Sequence, residues 1–529
     1  MRGTDHSSVH RHTLIPVADA ASAATADAAA ISAGTPSRAL MQRAGAAAAA
    51  EIALRFPDLL SAGVVVATGS GNNGGDGWVI ARALHAAGIG SRVVECVAAR
   101  SPDAIVERAL AVHDGVLVSR DIASMAAGGE RIIVDALLGT GFTAGTPLRG
   151  AMHVAVRDLR TLAGEGRLIV GIDLPSGLDA GTGANEGAPM CALTITFGSI
   201  KRGHLIAREL CGAILVVDIG LGAHAMTPEQ PVLATAAWFR AMLPRIPADA
   251  HKGTRRKVVI IGGAAGMAGA AILASRAALR SGAGMVKCAV APESILALQE
   301  AEPAALSTTW PTSDAQFDDE ILNFADAILI GPGLGRAGTR ELVERALRRF
   351  AGPVVLDADA LNAFDGDVDA LLPLVGNRAA LLTPHPAEFA RLLGETTQRV
   401  LDDRFDMPSV AARRSGATVL LKGVPTVITS LGGSTMVVAE GTPVLGTGGS
   451  GDMLGGIAVT LLAQTGDALL AGTLAAFAHG RAAAAVSTRQ VRGFTLDDVL
   501  GALPSVWGLS PPAPRPPILG ELPAVGEVP

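Results

Sequence analysis

Short apolar segments that end in a glycine turn or a carboxylate recur along the whole chain, and this alternation limits the fold more than any other feature. Val64–Ala67 leads into a glycine-rich loop, and Ile132–Val134 leads into Asp135. Alanine-rich stretches of helical length separate these segments. Apolar strands that alternate with helices predict a mostly parallel sheet covered on both faces. We therefore predict an α/β protein.

Domain boundaries follow from changes in this pattern. The 529 residues fit two or three α/β domains. Residues 222–250 contain prolines and little periodicity, which makes them the best linker candidate, and the prolines at 511–517 favour an extended, linker-like tail. We predict a disordered tail over 1–11, a first domain over 12–222, a linker over 223–250, a second domain over 251–506 and a proline-rich tail over 507–529.

Both predicted domains contain the same kind of buried strand. In the first domain, the predicted strands are Val64–Ala67, Val93–Val97, Ile132–Asp135, Leu168–Asp173, Thr194–Phe197 and Ile214–Asp218. In the second, they are Lys257–Ile261, Met285–Val290, Ala327–Ile330, Val354–Asp357, Ala380–Leu382, Thr418–Leu421 and Val427–Thr429, with helices near 267–281, 338–350, 452–465 and 469–487.

Composition argues against several classes of function. The net charge is only −6, which does not favour nucleic acid or a charged membrane surface as a partner. No apolar run reaches the ~20 uncharged residues that cross a bilayer. The four cysteines form no CxxC pair, and they indicate reduced thiols in a cytoplasm.

The first glycine-rich loop, residues 69–77, reads GSGNNGGDG and follows a predicted strand. Its spacing satisfies the dinucleotide pattern GxGxxG, and Glu95 ends the next strand, where a ribose-binding acid would stand. That match alone is weak. Asn72, Asn73 and Asp76 equally suit a cation or ribose and phosphate oxygens. The alternative is that this loop binds no ligand and is only a tight turn from a strand to a helix.

Two further carboxylates, Asp135 and Asp173, end apolar strands of the first half. The carboxyl ends of parallel strands face one crevice, so both are expected to converge with the 69–77 loop. Ser176 could complete an oxygen cage, which hard cations prefer. The alternative is that each aspartate only caps the helix that follows it.

A second polar glycine segment, Gly448–Gly451, precedes Asp452 at the start of a predicted helix. Backbone N–H groups there can turn toward a phosphate, and Asp452 is placed to accept a proton from a hydroxyl that attacks it. Lys422 follows a strand and could balance phosphate charge. His385 also follows a strand, although a lone histidine at a turn is more often structural. Asp357 and Asp359 either line the same rim or cap a helix. No GxxxxGK[ST] pattern is present.

These residues resemble a family, the bifunctional NAD(P)H-hydrate repair enzymes, over about residues 12–505. In the first half, the motifs are GSGNNGGDG (69–77), VDALLGTG (134–141) and IDLPSGLDA (172–180). In the second half, they are HKGTRRKVVIIGG (251–263), GMAGAAILASRAALRSGAGMV (266–286), GPGLG (331–335), LDADAL (356–361), LTPHPAEFARL (382–392) and GTGGSGDMLGGI (446–457).

The resemblance implies a Rossmann-like, three-layer first domain that interconverts the R and S forms of hydrated NADH and NADPH. It implies a substrate site formed by Asn72, Asn73, Gly74, Gly75, Asp76, Gly139, Thr140, Gly141, Phe142, Thr143, Ala144, Gly145 and Asp173. It also implies a potassium ion held by Asn73, Asp135 and Ser176, and acid or base catalysis by Asp173. Ala144 stands where some relatives carry a basic residue, which leaves the acid–base pair open.

For the second domain, the resemblance implies a ribokinase-like fold that dehydrates the S form with ADP and Mg²⁺, giving AMP and phosphate. Asp452 would deprotonate the ring hydroxyl. The implied hydrate contacts are Ala283, Gly333, His385 and Asp452, and the implied nucleotide contacts are Lys422, Gly423, Val424, Pro425, Thr426 and Gly451. A homo-oligomer in the cytoplasm is expected.

Two other interpretations stay open from the sequence. The chain could be a small-molecule kinase of the ribokinase type joined to a nucleotide-binding domain, which would form a stable phosphorylated product. The first half could also be a non-catalytic interaction module.

Overall fold

A computed structural model describes residues 14–487 and 492–525 of the chain. The described residues divide into two compact units, one of residues 14–230 with 513–525, and one of residues 231–487 with 492–512. The predicted disordered tail at 1–11 lies outside the described residues.

The strands of the first unit are short and, apart from the edge strand Leu117–Ser119, mostly buried. They are β1 (Leu14–Ala18), β2 (Val64–Thr68), β3 (Ser91–Glu95), β4 (Leu117–Ser119), β5 (Ile132–Ala136), β6 (Leu168–Ile172), β7 (Leu193–Phe197), β8 (Ile200–Lys201) and β9 (Ala213–Val217). Its helices are α1 (Ala20–Ser32), α2 (Ser37–Arg55), α3 (Asn72–Ala86), α4 (Pro102–His113), α5 (Ser124–Ala127), α6 (Gly150–Gly164), α7 (Arg202–Ile206) and α8 (Arg208–Cys211).

The main sheet of the first unit is a doubly wound parallel sheet. From β9 to β4 the strand order is β9-β7-β6-β5-β2-β3-β4, and every neighbouring pair is parallel. Helices α1, α2 and α3 pack on one face and α6 on the other. The chain reverses its direction of winding between β2 and β5, which is where such sheets bind ligands. The predicted Rossmann-like, three-layer architecture is confirmed.

The second unit contains a longer sheet with a helical layer on each face. Its strands are β10 (Val232–Ala234), β11 (Lys257–Ile261), β12 (Met285–Val290), β13 (Leu306–Thr309), β14 (Ala327–Ile330), β15 (Val354–Leu356), β16 (Ala380–Leu382), β17 (Thr418–Leu421), β18 (Thr426–Thr429) and β19 (Thr435–Val438). Its helices are α9 (Ala236–Met242), α10 (Ala268–Arg280), α11 (Ile295–Ala301), α12 (Asp314–Phe317), α13 (Thr339–Arg349), α14 (Asp359–Asn362), α15 (Leu371–Val375), α16 (Pro386–Leu393), α17 (Thr397–Asp402), α18 (Met407–Ser415), α19 (Ser450–Thr465), α20 (Ala468–Ser487) and α21 (Leu496–Trp507).

The strand order of this sheet is β13-β12-β11-β14-β15-β16-β17-β18-β19-β10, parallel from β13 to β17. β18 is antiparallel to both of its neighbours. The winding reverses between β11 and β14, so this unit also has a crevice at the carboxyl ends of its parallel strands.

Helix α20 is the one helix within the described residues with the length and apolar composition to cross a membrane, yet 67% of its apolar window is buried inside the protein. Its Phe477 ring stacks on Phe239 of α9 at a centroid distance of 4.5 Å. The core of the second unit accounts for the apolar character of this helix.

Two segments differ from the sequence-based expectation. The predicted linker at 223–250 contains β10, which pairs with β19, and α9, whose Phe239 is fully buried. The predicted linker-like tail contains a strand, β20 (Ile518–Leu522), which pairs antiparallel with β9 at the edge of the first sheet. Both segments have weak periodicity, and long-range strand pairing stabilises them instead.

Candidate active sites

A cavity of about 480 Å³ opens at the winding reversal of the first unit. The loop after β2 and the loop after β5 touch there. A Cβ atom at Gly69 would overlap the carbonyl oxygen of Leu137, so only a glycine allows this close approach. The predicted residues that line the cavity are Asn72, Asn73, Asp76, Gly139, Thr140, Gly141 and Asp173. Loops following three different strands thus converge, as the sequence predicted.

The Asp173 carboxylate is held by a buried lysine. Lys201 Nζ lies 2.6 Å from Asp173 Oδ1, and the Lys201 side chain is 3% exposed. Lys201 also donates to Thr196 Oγ1 at 2.8 Å, and Thr196 donates to Asp173 Oδ1 at 3.0 Å. Burial alone would raise the pKa of Asp173, but the charge and hydrogen bond of Lys201 keep this pKa below its usual value. Asp173 is therefore ionised at neutral pH.

The backbone at Asp173 is also constrained. Its φ angle is 63°, in the left-handed region that a residue with a side chain rarely adopts. His204 Nε2 lies 2.7 Å from the Asp173 carbonyl oxygen. Burial, followed by the charge of Lys201, lowers the pKa of His204 to about 3, so this ring is neutral and donates through Nε2. A Cβ atom at Gly139 would lie 3.1 Å from Asp173 Oδ2. The second carboxylate oxygen therefore faces the Gly139 loop of the cavity.

A second carboxyl group, Asp76 on α3, lines the same cavity and is 9% exposed. No donor among the described residues forms a hydrogen bond with its side chain. Burial, followed by the negative charges of Asp173 and Asp27, raises the pKa of Asp76 well above its usual value. One cavity thus contains an ionised carboxylate and a carboxyl group that favours the protonated form.

The three residues predicted to hold potassium lie in the first turn of α3 (Asn73), near the end of β5 (Asp135) and in the loop after β6 (Ser176). Ser176 donates from its backbone N to Asp135 Oδ2 at 2.8 Å and from Oγ to Asp135 Oδ1 at 2.5 Å, and the Leu138 N–H donates to Ser176 Oγ at 2.9 Å. The neighbouring Gly139 approaches Asn73, whose side-chain oxygen and nitrogen are buried without a hydrogen-bond partner in the described part of the chain. Burial raises the pKa of Asp135 to about 6.

The remaining predicted residues of this site contribute backbone or lie behind the cavity wall. Gly74 packs against Gly69, and Gly75 packs against Met41. Phe142 is buried, and the Ala144 N–H donates to Asp179 Oδ2 at 2.9 Å. Phe142, Thr143, Ala144 and Gly145 do not line the cavity.

The possible ribose-binding role of Glu95 is not supported by the structure. Glu95 accepts hydrogen bonds from Arg108 Nε at 2.6 Å and from Arg120 Nε at 3.0 Å. The side chain is buried beneath these two guanidinium groups and does not line the cavity. Its carboxylate is therefore engaged in a structural ion-pair cluster.

The second site lies at the start of α19. Gly449 precedes the helix with a φ angle of 95°, and Asp452 stands in the first turn. Lys422 Nζ, after β17, lies 2.6 Å from Asp357 Oδ1, after β15. A Cβ atom at Gly451 would lie 3.1 Å from Lys422 Nζ and 3.8 Å from Asp357 Oδ2. The glycine turn therefore leaves room beside a lysine and two carboxylates.

The electrostatics of this site suit a general base. Burial, followed by the charge of Asp357, raises the pKa of Asp452 to about 7, although Lys422 opposes the shift. Burial would lower the pKa of Lys422, but Asp357 and Glu388 leave it raised, so the ammonium stays charged. A base with a pKa near the working pH can both accept and release a proton.

Gly333 and His385 join the same edge of the sheet. The loop after β14 that contains Gly333 bonds to the loop after β11, since the Ala264 N–H donates to the Gly333 carbonyl oxygen at 2.7 Å. His385 follows β16 and caps α16, with Nδ1 accepting from the Ala387 N–H at 3.1 Å. The His385 side chain is 49% exposed, and Nε2 lies 3.5 Å from Glu388 Oε1. The contact of His385 with the hydrate stays a prediction.

The predicted nucleotide-binding segment, Lys422, Gly423, Val424, Pro425 and Thr426, forms the turn between β17 and β18. Thr426 Oγ1 donates to the Gly423 carbonyl oxygen at 2.7 Å, and Arg404 Nη1 donates to the Val424 carbonyl oxygen at 3.0 Å. Val424 is exposed at the tip of this turn.

Ala283 is the predicted residue that the structure separates from the others. It precedes β12, whereas Gly333, His385 and Lys422 follow parallel strands, so it lies at the opposite edge of the sheet. Its neighbour Gly282 accepts a hydrogen bond from Gln464, near the last turn of α19. Asp452 lies twelve residues earlier, roughly 18 Å along that helix. The contact of Ala283 with the hydrate, which the resemblance implies, stays a prediction that this placement does not favour.

Several contributing residues escaped the sequence argument. Lys201, Thr196, His204 and Asp27 surround Asp173 or Asp76. His479 of α20 is buried, and burial followed by the charge of Lys422 lowers its pKa to about 4. One signal was available: Lys201 is a lone lysine four residues after the predicted strand Thr194–Phe197.

Two family models match the chain. One described as YjeF-related protein N-terminus matches residues 37–203, and one described as NAD(P)H-hydrate dehydratase matches residues 258–505. Whole-length relatives share the name bifunctional NAD(P)H-hydrate repair enzyme Nnr. The protein of Moorella thermoacetica is 36% identical over 502 residues, covering 89% of this chain and 92% of the relative. The protein of Escherichia coli K12 is 35% identical over 486 residues, covering 88% of each.

Among solved structures, the chain is similar to an ADP/ATP-dependent NAD(P)H-hydrate dehydratase from Bacillus subtilis, which was co-crystallized with ATP and Mg²⁺. That similarity covers 52% of this chain and 96% of the other, with 29% identity and a TM-score of 0.45.

Proposed function

Because the chain belongs to the family of bifunctional NAD(P)H-hydrate repair enzymes, we propose that its two units catalyse two successive steps of cofactor repair. The first unit interconverts the R and S hydrates of NADH and NADPH. The second unit dehydrates the S hydrate at the expense of ADP, giving AMP and phosphate. The predicted ribokinase-like fold of the second unit agrees with this assignment.

The observation that carries the proposal is the grouping of Asp452, Lys422 and the Gly448–Gly451 turn at the start of α19. Asp452 removes the proton from the ring hydroxyl, and the hydroxyl oxygen attacks the terminal phosphoryl group of ADP, which releases AMP. The glycine N–H groups and Lys422 stabilise the charge that develops on the phosphoryl oxygens. The C6–O bond then breaks and phosphate leaves with its electron pair, a proton leaves C5, and the new C5=C6 double bond restores the reduced ring.

In the first unit, Asp173 is the acid–base group of the proposed epimerase site. Its ionised carboxylate has one oxygen bonded to Lys201 and the other facing the Gly139 loop. Asn72 and Asn73, Asp76 and the Gly139–Gly141 turn would surround the hydrated nicotinamide ring, since they line the same cavity.

Asn73, Asp135 and Ser176 fit a potassium ion. Asn73 Oδ1 is buried with no donor in the described part of the chain, and a carboxylate and a hydroxyl lie near the end of β5 and in the loop after β6. Potassium prefers hard oxygen ligands of this kind. When bound, it would supply positive charge that fixes the Leu138–Gly139 loop against the substrate.

Magnesium would enter the second site with the phosphates of the nucleotide. The described residues contain no preformed cluster of three or more histidine, cysteine, aspartate or glutamate ligands. Asp357 and Asp452 supply carboxylate oxygens beside the Gly451 turn, which matches the usual binding of Mg²⁺ through one or two carboxylates and substrate phosphates.

Recovery of absorbance at the reduced-nicotinamide band, from a mixture of R and S hydrates, tests the function. With ADP, the full chain should restore the whole mixture and release inorganic phosphate. Asp173→Asn should restore only the S fraction quickly, and Asp452→Asn should restore neither fraction. A stable phosphorylated product would instead support the small-molecule kinase, and unchanged conversion of the R form by Asp173→Asn would support a non-catalytic first unit.

We also propose a reducing, cytoplasmic location and a homo-oligomeric state. The four cysteines are free and buried, which suits a compartment where thiols stay reduced. Sedimentation of the purified chain would measure the oligomeric state directly.

A further inference from the structure

We infer that Asp76 is the proton donor of the epimerase site and works opposite Asp173, which is the proton acceptor. The inference rests on the proposed epimerase function and assigns the second member of its acid–base pair. Its basis is that two carboxyl groups line one cavity, and that hydrogen-bond donors surround Asp173 but not Asp76.

The two carboxyl groups differ in their hydrogen-bond partners. Asp173 Oδ1 accepts from Lys201 at 2.6 Å and from Thr196 at 3.0 Å, which favours the ionised form. Asp76 is buried and bonded to no donor among the described residues, so an anion there would lack a hydrogen bond, and only the charge of Lys201 would favour it. The negative charges of Asp173 and Asp27 act on Asp76 and further favour its protonated form. Paired carboxyl groups whose surroundings separate their protonation states divide into an acid and a base.

Other carboxyl groups in the cavity lining fit the donor role less well. Asp27 on α1 is more exposed to solvent than Asp76, although partial burial raises the pKa of this carboxyl group too. Asp103 on α4 accepts a hydrogen bond from Ser37 Oγ at 2.6 Å and belongs to the exposed rim. Lys201 is 3% exposed and already donates to Asp173, Thr196 and backbone carbonyl oxygens. Asp76 is therefore the carboxyl group of the cavity lining that is buried, accepts no hydrogen bond from the described residues and favours the protonated form.

The chemistry of the substrate requires such a pair. The hydrated ring carries a hydroxyl group on C6, which is bonded to ring N1. The hydrogen on C6 is not acidic, and loss of the hydroxyl group would lead to the dehydrated cofactor, which is the product of the other unit. Reversible opening of the C6–N1 bond inverts C6 without either event.

The step is balanced as follows. Asp173 takes the hydroxyl proton, the C6=O double bond forms, and the C6–N1 bond breaks with its electron pair moving to N1. Asp76 gives its proton to N1. Rotation about C5–C6 presents the other face of the aldehyde, and the reverse transfers close the ring and restore both carboxyl groups. No oxidant, reductant or water is consumed.

Asp76→Asn tests the assignment in the full-length chain, because asparagine preserves the shape and cannot transfer a proton. With the R hydrate of NADH, we expect interconversion to slow by about 100-fold or more, the lower end of general acid catalysis. ADP-dependent dehydration of the S hydrate should be unchanged. Asp76→Glu should retain more activity than Asp76→Asn, and Asp58→Asn, at an exposed position, is the matched control.

An isotope measurement tests the ring-opening step. In ¹⁸O-labelled water, wild-type interconversion should retain the original C6 oxygen in most product molecules. Incorporation of solvent oxygen in every converted molecule, or an Asp76→Asn rate within about threefold of wild type with an unchanged melting temperature, would overturn this assignment alone. A wild-type chain that cannot interconvert the two hydrates would overturn the proposed function together with it.

Discussion

At the residue scale, the Asp452 carboxyl has a pKa of about 7, raised by burial and by Asp357. A base must be ionised to accept a proton, so dehydration should weaken as the pH falls below about 7 and level off above it. The rate should drop about tenfold for each further pH unit, which a kcat/KM profile with the S hydrate measures.

Lys422→Met should move that profile to higher pH. The charge of Lys422 lowers the pKa of Asp452, whereas burial and Asp357 raise it. Removal of Lys422 should therefore raise this pKa further. Lys257→Met is the matched control, because Lys257 starts β11 and so lies at the opposite edge of the sheet from the Lys422 and Asp357 loops. A profile that keeps its midpoint in Lys422→Met would contradict the electrostatic account of Asp452.

The Lys201–Asp173 ion pair predicts a separate effect on the first unit. Without Lys201, burial would raise the pKa of Asp173, because the charge and hydrogen bond that lower it are lost. Lys201→Met should slow R-to-S conversion about 100-fold at neutral pH and shift its pH profile upward. Lys252→Met, at an exposed position, should leave both unchanged. An unshifted pH profile in Lys201→Met would show that Lys201 does not hold Asp173 ionised.

At the element scale, contact between α19 and α10 depends on a helical glycine. A Cβ atom at Gly456 would overlap the carbonyl oxygen of Ala274, so the two backbones touch there. Gly456→Ala should gain about 1 kcal/mol in helix propensity but lose more through overpacking, about 1–3 kcal/mol. Because α19 carries Asp452, dehydration should also weaken.

The matched control for Gly456 is Gly501→Ala in α21, where nothing lies within 4 Å of the added carbon. This variant should raise the free energy of unfolding by about 0.5–1 kcal/mol. Urea unfolding of both variants measures the difference. Equal stabilisation by the two substitutions would mean that α19 and α10 can move apart freely.

At the scale of the whole molecule, the first unit is completed by the far end of the chain. β20 pairs with β9, Arg55 makes a bidentate ion pair with Glu521 at 2.8 and 2.7 Å, and Arg515 bonds to Glu51 at 2.8 Å. These contacts cover the edge of the sheet, which would otherwise present unpaired backbone groups.

A chain that ends at residue 512 should therefore lose heat stability in its first unit. Loss of the edge strand and its ion pairs should cost about 1–3 kcal/mol, which lowers the melting temperature by about 5 °C. Epimerisation should be inactivated at lower temperature, while dehydration keeps its wild-type profile. A chain that ends at residue 525 is the control, and identical heat inactivation of both truncations would show that β20 contributes nothing.

Local patterns in the sequence were sufficient to predict most elements and both crevices. The strands Lys257–Ile261, Met285–Val290, Ala327–Ile330, Ala380–Leu382 and Thr418–Leu421 have the predicted bounds, because short apolar runs between glycine and helix signals need no distant partner to be seen. Asp173 was found because it ends a short apolar run. Asp452 was found because it directly follows a glycine turn at the start of a predicted helix.

Contacts between residues that are distant in the sequence were decided by the tertiary structure alone. Lys201 meets Asp173 across 28 residues, and Lys422 meets Asp357 across 65. In the second unit the reason is that β15 and β17, which precede Asp357 and Lys422, are parallel strands on either side of β16. The same sheet geometry separates Ala283 from Asp452 and gives β10 and β20 their pairing partners. Local periodicity determines which segments become strands, whereas the order and direction of strands determine which side chains share a site.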